Sequence, residues 1–390
     1  MLRAIRLHGP LTRAETAQQT GLSRSSIHAL TSELLDAGLI RETARRAPHP
    51  RGRPATSFSF NGEAGHVLAV AFQHNSVSVA VADLAGSIVA EEAAAVDTGA
   101  DPERALSCAA AHAESLVGRT GTRKTLLAAA ASLPGPIDIQ HGTVGAFSIL
   151  RGWSSIDPAR RLSDLLGLPV VIDNDANVAA YAEVQAGSAV GCRHLLYVKA
   201  SIGVGAGLIL DGRIYRGAAG MAGELGHVTI EPTGRICRCG SKGCLETVAG
   251  IDGILSALAG THEDAITIER VIALAAAGDA AAERALAEAG AGLGRAIGEV
   301  SNVLNPSLVV IGGELSAAGD LLIEPLRASL RRASMQVIAR DIEVRASDLG
   351  TRAELIGAAA LCTAYVHGDE PAAAVARERL PSEPADLISV

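Results

Sequence analysis

Aromatic residues are scarce in this chain: 390 residues include four Phe, four Tyr and one Trp. A core of ordinary size must therefore be built from Ala, Val, Leu and Ile. Long apolar runs are absent too. None approaches the roughly 20 residues needed to span a bilayer, so no membrane partner is expected. The first residues, Met-Leu-Arg-Ala-Ile-Arg-Leu-His-Gly-Pro, lack the apolar stretch of a signal peptide. Cysteines number six. Cys108, Cys192 and Cys362 are scattered and read as small apolar side chains. A disulfide-built secreted scaffold is not indicated, and a reducing cytoplasm is the expected compartment.

Apolar residues make up 48% of the chain and charged residues 19%, the balance of a globular protein. The length exceeds what one hydrophobic core serves, so two or three domains are expected. The net charge of −8 is unevenly spread. Residues 1–60 hold nine Arg against four Asp or Glu, a net +5, which leaves −13 for the remainder. A basic head on an acidic body suggests that the head alone meets a polyanion.

Within the head, residues 11–40 read as helix, turn, helix. Thr12 and Glu15 form a capping box for a first helix, and Gly21 ends it. Ser23 caps a second helix over 24–37, stopped by Gly38. Ile27, Leu30 and Leu34 share its core face. Arg24, Ser25, Ser26 and His28 lie at its N-terminal end or on its other faces, the part of such a helix that enters the major groove. A strand-loop-strand follows, with Arg45, Arg46, His49, Arg51 and Arg53 at the loop. It has the form of a wing whose guanidinium groups reach phosphates or the minor groove. A surface helix pair used for dimerisation is the alternative. The two caps, the turn and the Arg-rich loop favour DNA binding.

From residue 64 onward strands alternate with helices, the pattern of an α/β body. Strands are expected at 67–72, 77–83, 87–95, 126–132, 170–173, 194–200, 205–211 and 307–311, with helices at 102–120, 161–166, 178–186 and 283–304. Asp173, Asn174 and Asp175 stand at one strand end, where such folds bind ligands. A carboxylate there suits a general base for a hydroxyl nucleophile. Asp175 as the cap of the helix that follows is an equal reading. The glycines of 203–207 suit either a phosphate approach or a tight hairpin.

The other three cysteines concentrate in one stretch. Gly-Glu-Leu-Gly-His (223–227) and Cys-Arg-Cys-Gly-Ser-Lys-Gly-Cys-Leu-Glu (237–246) bring His227, Cys237, Cys239 and Cys244 together. Three sulfurs and an imidazole make a closed tetrahedral shell for Zn2+, structural by its ligand count. Gly240 and Gly243 can take positive φ and bend the loop so that the thiolates converge. Disulfides are the alternative, but Cys237 and Cys239 are too close to bridge easily.

With these motifs the chain resembles the ROK group (repressor, open reading frame, kinase), in its transcriptional-regulator branch, over about residues 1–366. The Cys-x-Cys-Gly-x-x-Gly-Cys-Leu-Glu, Gly-Glu-Leu-Gly-His, Asn-Asp-Ala-Asn and Asn-Pro…Gly-Gly segments carry the likeness. It implies an actin-like (ribonuclease H-like) two-lobe α/β sugar-kinase fold with an N-terminal winged helix-turn-helix domain. The expected divisions are a head at 1–60, a first lobe at 61–177 rejoined by a helix near 352–366, a second lobe with the zinc loop at 178–351, and a disordered tail at 368–390. By the resemblance, Asn174, Asp175, Glu224, His227 and Glu246 would hold sugar hydroxyls, and Asp175 would match the catalytic base of the family's kinases. The zinc would pre-organise the loop that carries Glu224, His227 and Glu246. Pro134-Gly135-Pro136 and Trp153 match flanking features.

One departure bears on activity. Family kinases carry an Asp-x-Gly-Gly-Thr type loop between their first two strands, and here that stretch is Phe72-Gln73-His74-Asn75-Ser76. Gly203, Gly205, Gly207, Gly312 and Gly313 then form a vestigial nucleotide site, and ATP with Mg2+ is not expected to bind well. The implied function is a sugar-responsive regulator, a repressor by the family's habit, that binds operator DNA as a homodimer or a dimer of dimers with little or no phosphoryl transfer. An ATP-dependent sugar kinase that also binds DNA is the alternative.

Overall fold

The computed structural model describes residues 1–43, 56–138, 143–145, 148, 150–261 and 266–369. The wing residues Arg45, Arg46, His49, Arg51 and Arg53, and positions 370–390 of the expected tail, lie outside the described residues.

The head begins with a helix the sequence reading did not anticipate, Leu2–His8. The capping box at Thr12 is present: Thr12 N–H donates to Glu15 Oε2 at 2.7 Å and Glu15 N–H to Thr12 Oγ1 at 3.3 Å. It starts the helix Arg13–Thr20, which Gly21 closes at φ 70°. Ser23 caps Arg24–Asp36. That helix buries Ile27, Thr31 and Leu34, so the third inward position is Thr31, with Leu30 half-buried beside it. The Thr31 hydroxyl donates to Ile27 O at 2.6 Å, which lets a polar residue sit inside. Strands Ile40–Thr43 and Ser57–Phe60 pair antiparallel, with Leu11–Thr12 on the far side of the latter.

The body holds two five-stranded sheets with one topology. In the first, His66–Phe72, Ser76–Asp83 and Ile88–Ala95 form an antiparallel meander, and Leu126–Leu133 and Val170–Asn174 extend it in parallel. In the second, Leu195–Ala200, Val204–Leu210 and Arg213–Ile214 form the meander, and Leu308–Gly312 and Glu343–Ala346 extend it. Each sheet thus has the order 3-2-1-4-5. This repeated mixed α/β unit is the actin-like sugar-kinase architecture, here with a winged helix-turn-helix ahead of it. The first sheet buries its outer face under the helix Pro102–Thr120, where Leu106 and Leu116 are inaccessible to solvent.

Two further helices, Asp175–Ala186 and Ala353–Val366, share one core with faces of both sheets. That core is rich in alanine, including Ala69, Ala130, Ala176, Ala180, Ala358 and Ala359. Small side chains let helices and strands approach closely, which explains how a chain short of aromatics fills its interior.

Candidate functional site

The strand Val170–Asn174 runs straight into the helix Asp175–Ala186, and this junction forms one wall of the cleft. Asn174, not Asp175, caps the helix. Its Oδ1 accepts from Ala176 N–H at 2.9 Å and Asn177 N–H at 3.2 Å, and its Nδ2 donates to Gly135 O at 2.8 Å. One amide hydrogen of Asn174 remains for a ligand. Asp175 becomes the first helical residue and is buried at 7% exposure. Asp173 turns away from ligand chemistry, since Arg216 donates to its Oδ2 through Nε at 2.9 Å and Nη2 at 2.7 Å.

The five residues expected to hold sugar hydroxyls come together. Asn174, Asp175, Glu224, His227 and Glu246 line one cavity of about 80 Å³, floored by Gly135 and Ser148. An outer hollow of about 870 Å³ adjoins it and shares His74, Ile202, Arg238 and Glu246. Burial, with Asp175 and Glu246 close by, pushes the Glu224 carboxyl up to about 7. Near neutral pH it therefore both donates and accepts, which suits a hydroxyl partner. Glu246 accepts from Val204 N–H through Oε2 at 3.3 Å and pairs with Arg238 Nε through Oε1 at 2.8 Å.

His227 joins this cavity to the cysteine cluster. Its Nδ1 lies 3.5 Å from Cys237 Sγ, while Nε2 faces Glu224 Oε2 at 3.8 Å. Cys239 and Cys244 hold their sulfurs 3.6 Å apart, and none of the three cysteines is in a disulfide. All four ligand atoms fall within 4.8 Å of one another. A tetrahedral zinc with bonds of about 2.3 Å to sulfur and about 2.0 Å to nitrogen needs S···S of about 3.8 Å and S···N of about 3.5 Å. The donor set and its spacings fit such an ion. Gly240 and Gly243 have φ of 88° and 72°, as the bend requires. A Cβ on Gly243 would stand 1.6 Å from Glu231 O, so the loop closes there on bare backbone.

Lys199 is a residue that sequence reading missed. It is the penultimate residue of the strand Leu195–Ala200, and its ammonium sits 2.8 Å from Asp175 Oδ2 and 2.6 Å from Glu354 Oε1. Burial alone would lower the Lys199 pKa, but the two carboxylates outweigh it and hold the ammonium well above its ordinary value. The signal was a cation inside a strand that is otherwise buried and uncharged. Arg238 was missed as well, hidden between Cys237 and Cys239.

The glycines expected in a nucleotide site have packing tasks. Gly203 lines the cavity at the hairpin turn between Leu195–Ala200 and Val204–Leu210. Gly205 and Gly207 face the helix Asp175–Ala186, and a Cβ on Gly207 would stand 2.2 Å from Ala176 O. Gly312 makes room for Tyr197, and Gly313 passes the backbone of Ala200 at φ 79°. Gln73 and His74 line the cavity where a first phosphate loop would need glycines. Trp153 is buried against Phe72 at a 5.0 Å ring separation and donates to Thr98 O at 2.7 Å. In the head, Arg24, Ser25 and His28 are exposed and Ser26 is half-buried. The hydroxyls of Ser25 and Ser26 each lie 2.9 Å from the capping Ser23 Oγ.

The sequence pattern of the ROK family matches residues 61–364, and that of a winged helix-turn-helix DNA-binding domain matches residues 1–41. The DNA-binding transcriptional repressor Mlc of Escherichia coli (strain K12) is 28% identical, with 92% of this chain and 91% of Mlc aligned. The xylose repressor of Caldicellulosiruptor bescii is 29% identical over 92% of each chain. A crystal structure of a ROK family transcriptional regulator, a homologue of the E. coli Mlc protein, matches at TM-score 0.81 and 28% identity over 96% of this chain and 97% of that one. A ROK family glucokinase from Streptomyces griseus, solved with glucose and AMPPNP, matches at TM-score 0.67 and 27% identity over 76% of this chain and 99% of the kinase. The chain belongs to the ROK family and carries a winged helix-turn-helix domain ahead of its ROK domain.

Proposed function

We propose that this protein is a sugar-responsive transcriptional repressor that binds operator DNA through its head and a sugar through its cleft. The observation that carries this reading is the convergence of Asn174, Asp175, Glu224, His227 and Glu246 on one cavity in a chain whose head exposes Arg24, Ser25 and His28. Relatives aligned over nine-tenths of the chain are repressors, among them the xylose repressor of C. bescii. In the cleft, Asp175 and Glu246 accept hydrogen bonds from sugar hydroxyls, Glu224 accepts or donates, and Asn174 supplies its free amide hydrogen. Arg24 and His28, with Arg51 and Arg53 of the wing, meet the DNA, and Ser25 and Ser26 stand beside them at the helix start. A homodimer places two such heads on a pseudo-palindromic site with half-sites about one or two turns apart.

Zinc is the metal we assign to His227, Cys237, Cys239 and Cys244. When bound, it supplies a fixed positive centre that stabilises thiolates. Burial, first of all, pushes the Cys244 thiol up to about 12 without such a charge. Imidazole Nδ1 as ligand leaves Nε2 directed at Glu224, so the loop geometry fixes the sugar-facing edge of His227. Elemental analysis of purified protein is expected to give about one zinc per chain, and a metal-free protein that still binds sugar normally would contradict the assignment.

Phosphoryl transfer is not the role we assign. Both oxygens of Asp175, the carboxylate a sugar hydroxyl would need as base, already accept: Oδ2 from the Lys199 ammonium and Oδ1 from Ala176 N–H. No glycine pair stands at Gln73–Ser76 to approach a phosphate. An assay for ADP release with glucose, xylose and N-acetylglucosamine is expected to show no turnover. Turnover abolished by Asp175→Asn would establish the kinase reading instead. The regulatory reading is tested by a mobility shift on the DNA upstream of the protein's own coding region. Affinity equal to that for random DNA would rule it out.

A further inference from the structure

The two helices between the sheets both start at the cleft and both reach the head. The helix Asp175–Ala186 opens with Asp175, and its later residues Tyr181, Gln185 and Ala186 line a cavity of about 540 Å³ whose other side is formed by Ile5, Arg6 and Phe60 of the head. The helix Ala353–Val366 has Glu354 in its first turn, and Ile356, Ala360, Thr363 and Ala364 line the same cavity, so this helix lies along it from its first turns to its end. Its chain continues to Asp369, which pairs with Arg6 and, at 3.5 Å, with Arg3 of the first head helix. Gly368 and Asp369 were expected in an unpacked tail, yet they close this helix and hold the head.

At the cleft end one ammonium ties the two helices together. Lys199 Nζ bridges Asp175 Oδ2 and Glu354 Oε1. Glu354 is 4% exposed, and its second oxygen, Oε2, has no hydrogen-bond partner. Such a buried, half-satisfied network responds to small changes because each oxygen without a partner is costly in a medium of low polarity. The two helices are about 18 and 21 Å long by the rise per residue, and they first line the head cavity at Tyr181 and Ile356.

We infer that Lys199 and Glu354 are positioning residues that carry the state of the sugar cleft to the DNA-binding head. The inference rests on the proposed function. A hydroxyl that donates to Asp175 competes with Lys199 for Oδ2. The ammonium then turns toward Glu354, whose free oxygen can receive it. The first turns of the two helices are held differently as a result, and their far ends, with Asp369 on Arg3 and Arg6, pass the change to the helix Leu2–His8. The bridge thus supplies the discrete pair of arrangements that coupling between distant sites requires.

The test uses the full chain and the variants Glu354→Gln, Lys199→Met and Lys199→Arg. Anisotropy of a labelled duplex from upstream of the coding region gives DNA affinity with and without saturating D-glucose, D-xylose or N-acetyl-D-glucosamine. Calorimetry gives the affinity for the same sugars. Amide hydrogen exchange over residues 2–8 reads the head without any sugar, with residues 308–312 as an internal control. In the wild type, sugar is expected to change DNA affinity roughly 5- to 150-fold, the usual range for coupled sites. Glu354→Gln is expected to reduce that ratio to about twofold or less while sugar affinity stays within about threefold. Lys199→Met is expected to speed exchange over 2–8 but not over 308–312, and Lys199→Arg to restore it in part. A responsive wild type with an equally responsive Glu354→Gln overturns the bridge and leaves the proposed function standing. A wild type deaf to all three sugars, with exchange over 2–8 still following the bridge, counts against those sugars and supports the bridge. Exchange unchanged in Lys199→Met, or raised equally everywhere, overturns it.

Discussion

At the residue scale, Gly243 shows how local geometry and site chemistry depend on each other. Its φ of 72° lies in the left-handed region, and a Cβ there would meet Glu231 O at 1.6 Å. The next residue is Cys244, whose sulfur belongs to the cluster proposed to hold zinc. Gly243→Ala is therefore expected to cost about 1–2 kcal/mol from the backbone alone, with more from the clash. Urea denaturation reads the stability and elemental analysis the metal, and both should fall together. Cys239→Ser removes a ligand without changing the backbone, so metal should be lost while the helix-turn-helix remains folded. Retained metal in Cys239→Ser would mean that the cluster does not hold it. The same scale divides the neighbours Asp173, Asn174 and Asp175. They are alike on paper, but one is bound by Arg216, one caps a helix and one meets Lys199.

At the scale of elements, helix ends explain most of what the sequence made legible. The capping box at Thr12, the stops at Gly21 and Gly38, and the cap at Ser23 all rest on contacts between residues two to four apart, so they can be read along the chain. The cysteine cluster spans more, with contacts five and ten positions apart, and is legible because its residue types are rare and gathered in one stretch. Lys199 and Glu354 meet across 155 positions, so no local pattern announces their pair. The first head helix was missed because it is short and buries one residue, Ile5, under the wing strands rather than showing a periodic face. Thr12→Ala is expected to cost about 1 kcal/mol of head stability, the usual worth of a cap. Amide exchange in residues 13–20 should quicken while the body is unchanged.

The helix Ala353–Val366 brings its own pH dependence. His367 follows it, with Nε2 3.0 Å from Leu84 O and its ring 5.4 Å from Phe60 of the head. Burial holds its pKa below the ordinary 6.5, against the opposing pull of the Leu84 carbonyl and Asp369 and with Arg6 adding to the lowering. An undocked His367 takes up its proton near 6.5, and the docked one only at lower pH. Its contribution to head docking is therefore complete above that value and is lost as pH falls through the docked pKa. Protection factors over residues 2–8, which take out the intrinsic pH dependence of amide exchange, should be lower at about pH 5.5 than at about pH 7.5, and His367→Phe should flatten the difference. An identical dependence in that variant would assign it elsewhere.

For the whole molecule, the arrangement is a kinase-like body put to a different use. Two sheets of like topology enclose the helices that reach from cleft to head, and the cleft keeps the groups proposed to bind hydroxyls beside the loop of the His227–Cys244 cluster. The fold class was legible from alternating elements and motif likeness. The link between cleft and head was not, because it depends on which helix ends lie next to each other in three dimensions. Occupancy of the cleft is expected to change DNA affinity. The most direct test is an anisotropy titration of the full chain on DNA from upstream of its own coding region, with and without each sugar of a panel. Specific binding is expected in the absence of sugar, with a roughly 5- to 150-fold change on adding at least one sugar. Specific binding that no sugar alters, by a protein that calorimetry shows to be sugar-bound, would contradict it.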